Sequence, residues 1–242
     1  MVMYTQIKDY ILECIRTKEY YVGYKLPPER EFTEKFSASR MTVRRAMDEL
    51  IQEGVLIKKK GKGISGTYVA RPKKSRSVDR ISISTDKELL EEYGQIRIEI
   101  LEKKIIKNHS VTNKLLGLSP DEEVYQVKRV QYGWDIPIVY ENIFLPLKYF
   151  PDIQEADFKQ SLTKITPYYL KKGIKQGENE IEIECLTATQ RLMNLLAITR
   201  DSPVLQINII VKDIDGKPLY CGKDSYDGNN FKYSSINKND NR

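Results

Sequence analysis

The feature that most constrains this chain is the alternation, over its first seventy residues, between helical apolar spacing and residues that forbid a helix. Tyr4, Ile7, Ile11 and Ile15 recur on one helical face, which predicts a helix over residues 3–18. Gly23 and the tandem Pro27-Pro28 cannot continue it. Pro28-Glu29-Arg30-Glu31 opens a second, short helix, with Pro in the tolerated first turn and acids at the positive end of the dipole; it is expected to stop near Phe36. Ser37-Ala38-Ser39 forms the turn, and Ser39 caps a third helix whose buried stripe is Val43, Ala46, Met47, Leu50 and Ile51. Gly54 ends it. Val55-Leu56-Ile57 and Thr67-Tyr68-Val69 read as strands joined by a lysine- and glycine-rich tip. Helix, short helix, helix and hairpin is the order of a winged helix-turn-helix.

Charge points the same way. The chain of 242 residues carries a net charge of +6, with 17 Lys/Arg against 9 Asp/Glu in residues 1–76 and 23 against 25 in the rest. The positive excess therefore sits in the first third, which predicts a polyanionic partner for that end. A DNA major groove about 12 Å wide admits one helix, and the first residues of that helix reach base edges. Arg40 and Arg44 lie one turn apart there and can offer paired donors to guanine; Ser39 and Thr42 suit phosphate or base contacts, with Arg45 alongside. The four lysines of the hairpin tip suit a sugar-phosphate rail. A basic helix face and a charged hairpin are each common as plain solvated surface, and it is their order in one fold that points to double-stranded DNA.

Other chemistries find little support. No apolar run approaches the roughly 18 residues a membrane span needs, and residues 1–10 lack the layout of a signal peptide, so a cytoplasmic protein is expected. Cys14, Cys185 and Cys221 are far apart, in no metal-ligand spacing, and are expected to be buried thiols. The single histidine, His109, reads as a capping or surface residue. No metal, no cofactor and no catalytic residue is expected; Glu141 with Arg129 is the one acid–base pair available for catalysis, and arginine is a poor proton donor.

Several runs carry a family likeness. Leu26-Pro27-Pro28-Glu29-Arg30-Glu31, Ser39-Arg40-Met41-Thr42-Val43-Arg44-Arg45-Ala46, Leu50-Ile51-Gln52-Glu53-Gly54 and Gly61-Lys62-Gly63 resemble the DNA-binding domain of the GntR regulators, over nearly all of residues 4–69. The resemblance implies that Arg30 and Arg40 to Arg45 contact an operator and that Lys60-Gly61-Lys62 enters the minor groove. One departure is a longer wing tip, with Ile64-Ser65-Gly66 between Gly63 and Thr67.

Residues 71–79, charged and without periodicity, read as a linker between a DNA-binding domain over 1–70 and a second domain over 80–242; a spacer and a tracker of phosphates are both open roles. Beyond it, strands are expected over 96–106, 124–130, 138–145, 180–186, 204–213 and 219–226, with helices over 111–118, 156–170 and 189–196. Antiparallel strands with interspersed helices make the class α+β. Leu115-Leu116-Gly117-Leu118, Val127-Lys128-Arg129-Val130, Ile136-Pro137-Ile138-Val139-Tyr140-Glu141, Phe144-Leu145-Pro146, Gln160-Ser161-Leu162, Ser202-Pro203-Val204-Leu205, Asp215-Gly216-Lys217-Pro218 and Tyr226-Asp227-Gly228 resemble, in their order, UTRA, the effector-binding domain of the HutC-type GntR regulators, whose fold is similar to chorismate lyase.

That likeness implies a homodimeric repressor on a palindromic operator, released by a small anionic metabolite such as a phosphosugar; a ligand-responsive activator is the alternative. It places the effector at Arg129, Glu141, Ser161 and Tyr226. An arginine fork suits phosphate or carboxylate, and a glutamate accepts from sugar hydroxyls. Arg129 and Glu141 are equally placed to pair with each other across a hairpin. Ser84 and Thr85 can cap a helix over 86–93 whose first N–H groups would seat an anion. Gln131, Thr163 and Tyr220 stand where the family carries a basic residue, a tyrosine and an acid, so a different ligand is expected to be read there.

Overall fold

The computed structural model describes residues 3–61, 64–70, 75–77, 96–107, 109–133, 135–153 and 173–234. The first body is three helices and a hairpin: α1 (Met3–Arg16), α2 (Glu29–Phe36), α3 (Arg40–Gln52), β1 (Leu56–Lys59) and β2 (Gly66–Val69). Ile7 and Ile11 of α1, Phe32 of α2, Val43, Ala46, Met47 and Leu50 of α3, and Leu56 and Val69 of the hairpin share one apolar core. Tyr4, Ile15 and Ile51 pack at its edge, half-buried. The turn between α2 and α3 holds Ser37 at φ 48°, and the Ser39 hydroxyl accepts the Thr42 N–H at 3.1 Å. The segment after α1 runs beside β2: Leu26 N–H donates to the Thr67 carbonyl, and Val69 N–H to that of Tyr24.

The second body is a six-stranded antiparallel sheet of β4 (Ile96–Ile106), β5 (Val124–Gly133), β6 (Ile136–Pro146), β7 (Gln176–Thr187), β8 (Pro203–Asp213) and β9 (Pro218–Asp227), in the order β4-β5-β6-β9-β8-β7. Two short helices, α4 (Ser110–Leu115) and α5 (Gln190–Leu196), pack on one face, over clusters built on Phe144 with Cys221 and on Val130 with Tyr140. His109 caps α4, its Nδ1 accepting the Thr112 N–H at 3.4 Å, and Thr189 caps α5. On the other face Val127, Ile143, Ile209 and Val211 form a separate cluster.

Two expectations change. Within the expected linker, β3 (Ser75–Ser77) pairs in parallel with β10 (Lys232–Ser234) in a separate two-stranded sheet, so the connector is tied by backbone bonds to the segment that follows β9. Cys185 is exposed while Cys14 and Cys221 are buried. The reason is position: β7 is an edge strand, with one side of its ladder unpaired. Burial pushes the Cys221 thiol up to about 12 and raises that of Cys14, so both stay protonated and unreactive. A disulfide reagent at mildly alkaline pH is expected to titrate one thiol in the native protein and all three after denaturation.

Candidate nucleic-acid interface and sensor site

Cap, turn and core fix the outward face of α3. With Val43, Ala46, Met47 and Leu50 turned inward, Arg40, Met41, Arg44 and Arg45 face solvent, Met41 with 73% of its surface exposed. Arg44 donates to Glu29 at 3.1 Å, Arg45 to Glu49 at 3.3 Å, and Arg30 pairs with Glu34 at 3.0 Å. Arg45 also lies 4.3 Å above the Tyr4 ring. The neighbouring Glu29 raises the Arg44 pKa, so its charge is secure. Such exposed pairs contribute little to stability, so a phosphate can displace the carboxylate while the arginine keeps its position. The Arg40 side chain makes no ion pair or hydrogen bond among the described residues, which leaves its whole fork available.

The hairpin differs from the sequence expectation. Lys59 does not reach outward with its neighbours: it is 1% exposed, and its ammonium donates to Asp227 of β9 at 3.0 Å. The Lys60 N–H donates to the Ala197 carbonyl at 3.0 Å, and a Cβ on Gly61 would stand 3.0 Å from that of Ala197. The wing is therefore docked on the sensor body at residues 59–61, with the Lys60 side chain exposed. An ammonium so enclosed needs a carboxylate partner, and Asp227 supplies one. Lys62 lies outside the described residues.

In the sensor body, Arg129 and Glu141 face each other across β5 and β6. Arg129 Nε–H donates to Glu141 Oε2 at 2.6 Å and Nη2 to Oε1 at 3.2 Å, while the Gln131 amide donates to Oε2 at 2.9 Å. All three are buried. Tyr226 shares a rung with Gln131 through Val139, and its ring lies 4.8 Å from that of Phe231. The sheet thus joins Arg129, Gln131 and Glu141 and sets Tyr226 beside them. Tyr220 stands farther off, four residues along β9 from the Arg129 rung, among the apolar residues around Val211. Ser84, Thr85, Ser161 and Thr163 lie outside the described residues.

Asp224 is one residue the sequence reading missed. It pairs with Glu141 in the β6–β9 register, so it brings an acid to the Arg129 rung. Period-two counting back from Tyr226 would have found it. Asp227 is the other. It ends β9 directly after Tyr226, and its second oxygen accepts the Asn229 N–H at 3.1 Å. Among the described residues no group of three His, Cys, Asp or Glu is placed to hold a metal, and no helix is long and apolar enough to cross a membrane.

A helical head that presents arginines, joined to a sheet holding a buried polar cluster, defines a two-domain DNA-binding regulator. Residues 3–65 match the family described as bacterial regulatory proteins, gntR family, and residues 91–232 match the UTRA domain. The chain belongs to this family, in its HutC-type branch. It is 26% identical over 232 residues to the HTH-type transcriptional repressor NagR of Bacillus subtilis, covering 96% of this chain and 93% of that one. With the mannosyl-D-glycerate transport/metabolism system repressor MngR of Escherichia coli it shares 28% over 234 residues, 97% and 95% of the two chains. The crystal structure of PhnF from Mycobacterium smegmatis has the same fold, with a TM-score of 0.64 at 22% identity over 98% of this chain and 100% of that one.

Proposed function

We propose that this regulator is a homodimeric repressor that holds a palindromic operator through α3 and lets go when a small anionic carbohydrate derivative binds its sensor domain. The observation that carries the reading is the continuity between the two bodies. The buried Arg129–Glu141–Gln131 cluster lies beside Tyr226, the next residue is Asp227, and Asp227 grips Lys59 of the wing. A ligand changes DNA affinity only if it binds one arrangement of the two bodies better than another. A ligand at the cluster that shifts the end of β9 would do so through this ion pair.

Arg40, Thr42, Arg44 and Arg45 are assigned to the DNA, with Ser39 setting the helix start and Arg30, Lys60, Gly61 and Lys62 flanking. Arg129, Gln131, Glu141, Tyr220 and Tyr226 are assigned to the ligand, together with Ser84, Thr85, Ser161 and Thr163. Support for the ligand class comes from the arginine fork, which suits a phosphate or carboxylate, and from the relatives, one of which is the repressor of a mannosyl-D-glycerate system. The role is sensing, in line with the relatives, which are named as repressors.

Arg40→Ala tests the DNA half. It is expected to cost about 1–3 kcal/mol of operator affinity and to relax sequence preference. Equal weakening on operator and scrambled duplex at fixed salt would show that Arg40 meets only phosphate. The sensing half is tested by a thermal-shift screen of phosphosugars and sugar acids; a hit that leaves gel-shift affinity untouched would sink the release mechanism.

A further inference from the structure

The helix-bearing face of the sheet, opposite the Arg129–Glu141 cluster, carries a groove of about 570 Å³ between α4 and α5 that the regulatory reading leaves unused. Its floor is set by register. One rung crosses all six strands as Glu102, Lys128, Asn142, Lys223, Asn208 and Glu182. The next rung places Gln126, Phe144, Cys221 and Ile210 side by side. Leu115 and Val111 of α4 form one wall, and both are exposed.

Most of the polar groups here are already matched. Lys128 bonds to Glu102, Asn208 donates to Glu182 at 3.1 Å, Lys212 holds Glu180 at 2.8 Å, and Arg191 donates to the Tyr140 hydroxyl at 2.7 Å. Two groups are not. Gln126 is only 5% exposed; its amide nitrogen donates to Asn142 at 2.7 Å, but its Oε1 accepts no hydrogen bond among the described residues. The Lys223 ammonium makes neither an ion pair nor a hydrogen bond among them. A buried amide oxygen without a donor costs about 1–3 kcal/mol, so its retention points to a donor supplied from the groove.

We propose that this groove is a second small-molecule site, for a compact carboxylic acid with an apolar body and an N–H next to the acid, the chemistry of an N-acylated apolar amino acid. The Lys223 ammonium takes the carboxylate, and Gln126 Oε1 takes the N–H. Phe144, Ile210 and Leu115 cover the apolar body. Gln126 and Lys223 stand on strands two apart, about 10 Å between their axes, a gap the lysine stem narrows to the span of such a headgroup. Phosphate esters are disfavoured, because Lys128 is already neutralised and Glu180 and Glu182 line the far edge. The ligand class therefore differs from the anionic carbohydrate assigned to the opposite face.

The test is calorimetric titration of the full chain with N-acetyl-L-leucine, without DNA, so its outcome is independent of the operator reading. Saturable binding is expected, weakened about tenfold by Lys223→Gln and by Gln126→Leu and unchanged by Lys103→Gln on the opposite face. The uncharged amide of the same compound should bind wild type and Lys223→Gln alike. Lys223 is exposed, so its variant is expected to fold even if the Gln126 variant does not. The proposal is overturned by absence of saturation at millimolar ligand, or by equal affinity in wild type and Lys223→Gln. It falls equally if Lys223→Gln changes the sedimentation mass, since the groove would then be a seam between subunits.

Discussion

Glu141→Leu is expected to destabilise the sensor domain by about 3–5 kcal/mol in urea unfolding, because it removes the carboxylate bonded twice to a guanidinium that has no surface exposure. Glu141 accepts two bonds from Arg129 and one from Gln131, so one substitution removes three acceptor contacts at once. Glu141→Gln keeps the shape but not the charge, and its cost should fall in between. Converting Arg129 and Glu141 together to apolar residues of similar volume is expected to restore most of the loss, since the desolvation penalty then disappears with the charges. If both single variants stay within 0.5 kcal/mol of wild type, a value typical of roughly neutral surface changes, the cluster is more hydrated than its burial indicates.

Lys59→Met is expected to have the second large effect, about 3 kcal/mol. The figure sits at the low end of the range for a broken buried pair because Asp227 keeps the Asn229 N–H and the Asn230 amide at 2.9 Å. The informative variant is Lys59→Met combined with Asp227→Leu. It should recover stability while severing the electrostatic link between wing and sensor, and exchange of the Lys60 amide hydrogen should then speed up. Under the repressor reading, that double variant still binds operator but no longer responds to effector. A double variant that responds like wild type would place the coupling elsewhere.

How much was legible follows from where each signal resides. The helices and the hairpin of the head were legible because their determinants are local: Pro28 starts α2, Ser39 caps α3, and Gly54, at φ 72°, ends it. Strand positions in the sensor were legible to within a few residues from alternation alone, and the facing of Arg129 and Glu141 followed from a short hairpin. The order β4-β5-β6-β9-β8-β7 was not, because it rests on pairings between distant segments. The same limit hid the Lys59–Asp227 pair, whose members are 168 residues apart. Lys59 sits in a run of three lysines, and what buries it is the other domain. Cys185 illustrates the converse: its residue type favours burial, but an edge strand leaves it in water.

The parallel pairing of Ser75–Ser77 with Lys232–Ser234 sets the length of the leash on the DNA-reading head. While those strands hold, the covalent path from Ala70 to Ser75 can stretch at most about 18 Å, whatever the rest of the connector does. Under the homodimer reading, these hydrogen bonds, rather than the number of connector residues, ration how far apart two heads can stand. Trimming the chain before Lys232 would then give slack, and the altered dimer of that reading should tolerate half-site spacings that the intact one rejects.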